Sequence, residues 1–352
     1  MADLTRSAQN ETDATPATET PATATPRWRS ALPWAFGAVL LFAGFALQTQ
    51  LYSGQARTVT TVFMFVALAQ SWNLIGGFAG YASFGQVVFF GLGGYVTAVL
   101  MTHYGVSFWI CLVLSGLAAA AWGALVGLPL LRLRGHYFAI ATLGMAEGTR
   151  EIIINLPDLT GGGGGITLPT VGKDAPTAYL GNDGFYVLFL MLAALALAIS
   201  QVVSRSKFGY ALRAIHQDED AAAAVGINTT RTKVAAFALS GFVAGLVGSA
   251  YAFQQVTIYP ERLFDVGITV LMVVMVVIGG SGTVIGPLIG AVALQFLSEW
   301  LRQNYSNVHT MLLGAIIILA VILLPQGLAN YVREARTSGQ YSLLSNVRRY
   351  RL

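Results

Sequence analysis

Long apolar stretches separated by short polar segments dominate the sequence from about residue 32 onward. A helix needs roughly 20 mostly apolar residues to cross the hydrocarbon core of a bilayer. Ten stretches are candidate spans: 33–51, 58–76, 84–102, 107–131, 136–155, 185–203, 233–256, 265–280, 285–303 and 308–325. The third, eighth and ninth are short or rich in glycine, which makes them candidates for broken or re-entrant segments. The pattern predicts an all-α, polytopic transmembrane helical bundle with about 8 to 10 spans.

The first 30 residues follow a different pattern, in which Thr, Ala, Pro and Glu predominate, as in TPATETPATATP. Such a segment buries too little apolar surface to offset its ordering entropy, so we predict a disordered tail over 1–30. Arg27 and Arg29 then precede the first apolar run, which is either a signal peptide or a retained span. The many spans that follow favour a span. We therefore predict a transmembrane domain over 31–330 and a basic C-terminal tail over 331–352.

The composition agrees with a membrane protein. Hydrophobic residues make up 55% of the chain and charged residues 10%, against roughly 25% charged residues in a typical soluble domain. Too few charges are present to form a polar shell, which excludes an ordinary soluble enzyme, a disordered regulator and a nucleic-acid binder. Cys111 is the single cysteine of the chain, so no intrachain disulfide is possible.

The positive charges are distributed unequally between the two sides that ten spans define. Fifteen of the 20 Lys and Arg residues fall on the side of the N-terminus and four on the other, with Arg150 inside a predicted helix. Basic residues accumulate in cytoplasmic loops of membrane proteins. Both termini are therefore predicted to be cytoplasmic. The spans between them are predicted to contact membrane lipid.

Motifs of enzymes are absent from the sequence, which contains no HExxH, CxxC, GxSxG or Walker A pattern. The four histidines lie on four different segments near span ends, as interfacial polar residues do. We predict no catalytic residue, no metal site and no cofactor, and a membrane-embedded enzyme is the weakest hypothesis.

The polar segment 204–232 predicts two short helices on the cytoplasmic side. In the first, apolar residues recur at helical spacing from Phe208 to Ile215. In the second, Asp218 can cap the start, while Glu219 and Asp220 occupy the first turn, where negative charge favours the helix dipole. Gly226 suits the left-handed position after its end. Such a helix either docks on a soluble partner or lies in the bilayer interface.

Two glycine clusters, 76–85 and 279–286, indicate either close helix packing or helices broken along a polar pathway. The first cluster surrounds Tyr81 and Ser83 and adjoins Gln86, which makes these three residues candidates for lining a translocation path.

Ionisable residues inside a predicted span are costly and therefore informative. Glu147, Arg150 and Glu151 share one face of the fifth span. Glu147 lies roughly 18 Å from the cytoplasmic end of that helix, past the middle of the bilayer. We expect it to pair with Arg150 and to face the interior of the subunit. The pair has either a structural role or a role in the translocation path.

Four stretches of the sequence resemble a known family. They are LPLLRLRGHYFAIATLGMAEGTREII, NLPDLTGGGGGI, SRSKFGYALRAIHQDEDAAAAVGINTTRTKVAAFALSGFVAGLVGSAYA, and VVIGGSGTVIGPLIGA with LPQGL. In this order they are similar to the LivM-type inner-membrane permease of the branched-chain amino acid ABC importer, to which urea permeases are related. The similarity covers about residues 70–328.

The resemblance implies a permease subunit of a bacterial importer in the inner membrane. Its partners would be a second permease, two cytoplasmic ATP-binding subunits that hydrolyse ATP, and a periplasmic solute-binding protein. The implied ATPase-coupling segment includes Phe208, Arg213, Asp218, Glu219, Asp220, Ala222 and Gly226. The implied outer gating loop includes Thr160, Gly161, Gly162 and Gly165, where the unbroken glycine run departs from the mixed run of the family.

Two other functions remain open at this point. The chain is alternatively a urea or short-amide permease of the same family. From another class, an ion-coupled secondary carrier or a channel would work without an ATPase. A carrier needs coupling carboxylates near the midplane, for which Glu147 is the candidate, and it does not need the helix at 218–225.

Overall fold

The computed structural model describes residues 53–170, 175–305, 308–323 and 327. The predicted tails at 1–30 and 331–352 and the first predicted span at 33–51 lie outside the described residues. Within these ranges the chain is almost entirely helical. The described residues form thirteen α-helices: α1 Ser53–Trp72, α2 Val87–Tyr104, α3 Phe108–Leu130, α4 His136–Ile154, α5 Pro157–Thr160, α6 Gly181–Arg205, α7 Lys207–Gln217, α8 Glu219–Ala224, α9 Thr229–Gln255, α10 Pro260–Leu263, α11 Val266–Gly279, α12 Ile285–Asn304 and α13 His309–Leu323.

Six helical stretches of the described residues are long and apolar enough to cross a membrane. They are Gly54–Gly77, Val87–Tyr104, Phe108–Leu130, Gly181–Arg205, Thr229–Gln255 and Pro260–Gly279. Each predicted span from 58–76 onward corresponds to a helix of the structure within a few residues at most ends. The helix α4 differs from these six because it carries Glu147, Arg150 and Glu151. The chain is thus a multi-pass membrane protein, and the prediction of a polytopic helical bundle is confirmed.

The helix α9 runs through the centre of the bundle, where it packs mainly against α2 and α3. Glycines make this close packing possible. A Cβ atom added at Gly248 would overlap the carbonyl oxygen of Phe90, and one added at Gly93 would overlap the carbonyl oxygen of Gly245. Because main-chain atoms cannot move aside separately, only glycine allows the α2 and α9 backbones to approach so closely.

The loops gather at two opposite ends of the bundle. At one end the two-stranded antiparallel sheet of β1 (Ile166–Thr167) and β2 (Thr257–Ile258) joins the loop after α4 to the loop after α9. At the other end the loop after α3 meets the α7–α8 segment (204–228). The loops therefore alternate between a β1–β2 end and an α7–α8 end, as repeated membrane crossing requires.

The breaks in the helices lie between the spans and not within them. The helix α1 ends in a π-helical turn, Asn73–Gly77, and residues 78–86 then run without regular secondary structure for most of their length to the start of α2. The Asn73 side chain donates to the Thr283 carbonyl oxygen (2.8 Å) and accepts from the Gly282 N–H (3.0 Å). A Cβ atom added at Gly77 would lie 2.7 Å from the Gly282 nitrogen, so the two predicted glycine clusters contact each other. The third predicted span is a continuous helix from Val87 onward, and the eighth and ninth are continuous helices, which corrects the expectation of breaks inside them.

Candidate functional site

The α7–α8 segment contains two short helices whose ends are defined by local hydrogen bonds. The Ser206 hydroxyl accepts from the Gly209 N–H (3.1 Å) at the start of α7. The Asp218 carboxylate accepts from the N–H groups of Asp220 (2.9 Å) and Ala221 (3.0 Å) at the start of α8. Gly226 follows α8 with φ of 88°, a conformation that glycine adopts at little cost. Both the predicted cap and the predicted left-handed glycine are confirmed.

The helix α7 lies against the bundle through its apolar stripe. Leu212 and Ile215 are buried, and Phe208 is partly buried against the core. The Arg213 guanidinium lies 5.5 Å from the ring centre of Phe78. In α8, Ala222 is only 3% exposed. The Ala222 side chain therefore packs against this chain, on the inner face of the predicted ATPase-coupling segment.

A buried ion pair connects α8 to the rest of the bundle. The Lys233 side chain, 3% exposed as a residue, donates to Glu219 Oε1 (2.5 Å), to the Leu131 carbonyl oxygen (2.8 Å) and to the Tyr81 hydroxyl (2.9 Å). The Tyr81 hydroxyl in turn donates to Glu219 Oε2 (2.5 Å). We call Tyr81, Glu219, Lys233 and the Leu131 carbonyl the Lys233 cluster. All three protons of the ammonium group have acceptors, which a buried cation requires.

The charges of this cluster are maintained by its hydrogen bonds. Burial alone would raise the pKa of Glu219, but hydrogen bonds from Lys233 and Tyr81 outweigh it, so that the pKa falls below its ordinary value. Outside the cluster, Arg134 donates to both Asp220 oxygens (2.8 and 3.1 Å) and lowers the pKa of that exposed carboxyl. Arg134 also lies 3.4 Å from Glu219 Oε2. Glu219 is consequently ionised at neutral pH.

The structure buries all three candidate path residues of the first glycine cluster in the interior. Ser83 and Gln86 are fully buried, and Tyr81 is buried at the α7–α8 end. The Gln86 amide donates to the hydroxyls of Ser71 (2.8 Å) and Ser240 (2.5 Å), which links α1 to α9. Within the described residues, Ser83 Oγ and Gln86 Oε1 have no hydrogen-bond partner. Buried unpaired oxygens are costly. We call Ser83 and Gln86 the polar seam, since their unpaired oxygens can accept hydrogen bonds from water or a polar solute.

The pairing of Glu147 with Arg150 is confirmed, but the expected direction of the helix face is wrong. Arg150 Nε donates to Glu147 Oε1 (3.1 Å), and Arg150 also contacts Glu151 Oε1 (2.9 Å). The Glu147 side chain is 57% exposed and so does not face the interior of this chain. Gly144 and Gly148 share that outward face, with open space where a Cβ atom would lie.

The glycine run at the β1–β2 end forms a compact turn. The Thr160 hydroxyl donates to the carbonyl oxygens of Ile153 (2.6 Å) and Leu156 (2.8 Å) and accepts from the Gly162 N–H (3.2 Å). Gly161, Gly162 and Gly165 all have positive φ. A Cβ atom at Gly165 would overlap the Ile258 carbonyl oxygen. The structure therefore brings the four residues of the predicted outer loop together beside β2.

Reasoning from sequence missed several functional candidates. Lys233 and Arg134 entered only as loop charges, although a lysine in the first turn of an apolar span was a signal for a buried pair. A cavity of about 720 Å³ between α1, α6, α9 and α12 was also missed; its lining includes Arg57, Gln254, Glu299 and Arg302. No group of three or more His, Cys, Asp or Glu side chains within the described ranges is arranged to hold a metal ion.

Comparison with known proteins identifies the family. The family described as "Branched-chain amino acid transport system / permease component" matches residues 55–321. This chain belongs to that family. It is 33% identical to the high-affinity branched-chain amino acid transport system permease protein LivM of Salmonella typhimurium, over 80% of this chain and 71% of the relative. The corresponding LivM of Escherichia coli is 32% identical over 85% of this chain and 75% of the relative.

A second kind of permease is also similar to this chain. The permease protein LivH of Salmonella typhimurium is 24% identical over 79% of this chain and 94% of the relative. No solved structure matches the chain. The family match begins just after α1 starts and ends in α13, so that it includes the Lys233 cluster, the α7–α8 segment and the glycine-rich turn.

Proposed function

We propose that this chain is the permease subunit of an ABC importer that carries branched-chain amino acids across the bacterial inner membrane. The observation that supports this most strongly is the similarity to two LivM permeases over at least 80% of the chain. The helical bundle supports it as well, since six of its helical stretches are long enough to cross a membrane. In the proposed orientation both termini and the α7–α8 end are cytoplasmic, and the β1–β2 end faces the periplasm.

Uptake of leucine by the assembled importer is expected to depend on ATP inside the vesicle. The measurement uses proteoliposomes containing this chain, a second permease, the ATP-binding subunits and the solute-binding protein. Vesicles with this chain alone are expected to show no uptake, because the chain contains no Walker A motif. Competition by urea or a short amide, but not by valine, would favour the related permease class. Uptake driven by a proton or sodium gradient alone would contradict the proposal.

The outward face of α4 is proposed to meet the second permease. Similarity to both LivM and LivH supports a pair of two different permeases. An ionised side chain in contact with lipid at this depth is costly, whereas a protein neighbour or a water-filled path between two subunits would stabilise it. Gly144 and Gly148 allow a neighbouring helix to approach closely. Glu147 and Arg150 would then lie along the translocation path where the two permeases meet.

Solute is proposed to pass from the β1–β2 end toward Ser83 and Gln86, whereas Tyr81 belongs to the Lys233 cluster at the α7–α8 end. The 720 Å³ cavity is lined by Arg57 and by the Glu299–Arg302 ion pair (2.5 Å), and Arg57 suits the carboxylate of an amino acid. The turn of Thr160, Gly161, Gly162 and Gly165 lies at the same end as β2 and is proposed as the outer gating loop. A periplasmic binding protein would deliver the solute to this end.

The ATP-binding subunit is proposed to dock on the α7–α8 segment. Two large apolar side chains project there from otherwise polar surroundings: Val225 is 78% exposed and Tyr210 is 63% exposed. Asp218 and Asp220 are exposed beside α8, while Phe208 and Arg213 attach α7 to the bundle. An exposed valine next to a rigid, capped helix is suited to insertion into a pocket of a soluble partner.

Replacing Val225 with glutamate is expected to reduce co-purification of the ATP-binding subunit by at least tenfold, since a charge would be buried in an apolar pocket. Folding should be unchanged, because the Val225 side chain contacts little of its own chain. The matched control is Thr230→Glu, an exposed residue in the first turn of α9, which should co-purify as the wild type does. Equal recovery of the ATP-binding subunit with Val225→Glu and wild type would contradict this docking surface.

A further inference from the structure

We propose that the Glu219 carboxylate is the link that transmits movement of α8 to the irregular segment 78–86 and to the central helix α9. This inference rests on the proposed function, in which α7–α8 contacts an ATP-binding subunit. It assigns Tyr81, Glu219 and Lys233 as positioning residues for transport and not as residues that contact solute.

The two oxygens of Glu219 hold different parts of the bundle. Oε1 accepts from Lys233 in the first turns of α9 (2.5 Å), and Oε2 accepts from the Tyr81 hydroxyl (2.5 Å). Tyr81 lies in segment 78–86, between α1 and α2. One carboxylate on a docking helix therefore joins the helix at the centre of the bundle to the segment with the least regular backbone on that side.

The helix α8 can move as a unit with this link attached. It has only six residues, it is capped by Asp218 at its start, and Gly226 ends it with a positive φ. Displacing α8 alone would break the hydrogen bonds of an ionised, nearly buried carboxylate, which are stronger than bonds between neutral groups. Displacing α8 together with Tyr81 and the Lys233 end of α9 leaves those bonds intact. Movement of the segment with α8 is therefore the less costly of the two.

Further contacts attach the same stretch to α7. The His216 ring lies directly beside Gly80, where a Cβ atom would collide with it, and Arg213 lies over Phe78. Beyond Tyr81 the segment ends at Gln86, whose amide holds Ser71 of α1 and Ser240 of α9. A path thus runs from α8 through Glu219 to Tyr81, and from Tyr81 along the main chain to Gln86.

The test measures leucine transported per ATP hydrolysed by the reconstituted importer. Tyr81→Phe removes one hydroxyl and keeps the ring, and Glu219→Gln removes the charge and keeps the shape. Each is expected to lower the ratio roughly tenfold, the effect of losing a charge-assisted hydrogen bond. The half-saturating leucine concentration should stay unchanged and the ATP-binding subunit should still co-purify. The double variant should lose no more than the stronger single variant, because both changes break the same link.

Tyr95→Phe is the matched control. Tyr95 is a buried tyrosine of α2 whose hydroxyl has no hydrogen-bond partner among the described residues, so this change should leave the ratio at the wild-type value. A wild-type ratio of leucine transported to ATP hydrolysed in Tyr81→Phe would overturn the inference. So would additive losses in the double variant, or a change confined to the half-saturating leucine concentration. Absence of ATP-driven uptake by the wild-type importer would overturn the proposed function and this inference together.

Discussion

Replacing Gly248 with alanine is expected to destabilise the bundle by about 3 kcal/mol, at the upper end of the usual cost of overpacking. The added methyl group would overlap the carbonyl oxygen of Phe90. This oxygen belongs to the α2 backbone, so the clash can be relieved only by moving α2 away from α9. Such a movement would also loosen the approach of Gly93 to Gly245 on the same pair of helices. The measurement is thermal unfolding of the purified chain in detergent, followed by circular dichroism.

Gly144→Ala is the matched control for this change. Gly144 also lies inside a helix, but a Cβ atom there would meet open space. Alanine is favoured over glycine in helices by roughly 0.8–1.0 kcal/mol, so this variant should unfold at the wild-type temperature or slightly above it. If Gly248→Ala and Gly144→Ala unfolded at the same temperature, the close approach of α2 to α9 would not contribute to stability.

Replacing Lys233 with methionine is expected to cost about 3–5 kcal/mol of folding free energy, the range for removing one partner of a buried ion pair. Methionine fills a similar volume but donates no hydrogen bond. Glu219 would remain ionised and nearly buried, and the Leu131 carbonyl would lose its side-chain donor. The same detergent unfolding experiment detects the loss. Adding Glu219→Gln to Lys233→Met should recover part of the stability, since no uncompensated charge then remains.

The control for the second change is Lys207→Met at the start of α7. Lys207 is exposed, and surface substitutions of this kind usually change stability by no more than about 0.5 kcal/mol. Equal stability of Lys233→Met and Lys207→Met would show that the buried ion pair is not a stabilising element. A Lys233→Met variant that Glu219→Gln destabilises further would contradict the charge argument.

Local sequence patterns determined where the described helices lie and how the short ones begin and end. A span needs about 20 apolar residues, so the span positions could be read from hydropathy alone. The caps of α8 also depend only on neighbouring residues: Asp218 reaches N–H groups two and three positions ahead, and Gly226 adopts a positive φ by itself. The Glu147–Arg150 pair was predictable for the same reason, because three positions along a helix bring two side chains together.

Which residues meet across the bundle was decided only by the tertiary structure. Tyr81 and Glu219 are 138 positions apart, and Tyr81 and Lys233 are 152 positions apart. No periodicity within the segments that carry these residues predicts that their side chains touch. The outward direction of Glu147 and the burial of Ala222 were likewise open, because a helical pattern with little amphipathic contrast does not specify which face contacts the chain. Helix positions follow from the energetics of a bilayer and from local hydrogen bonds, whereas helix rotation and long-range pairing follow from how glycine-lined backbones pack against one another.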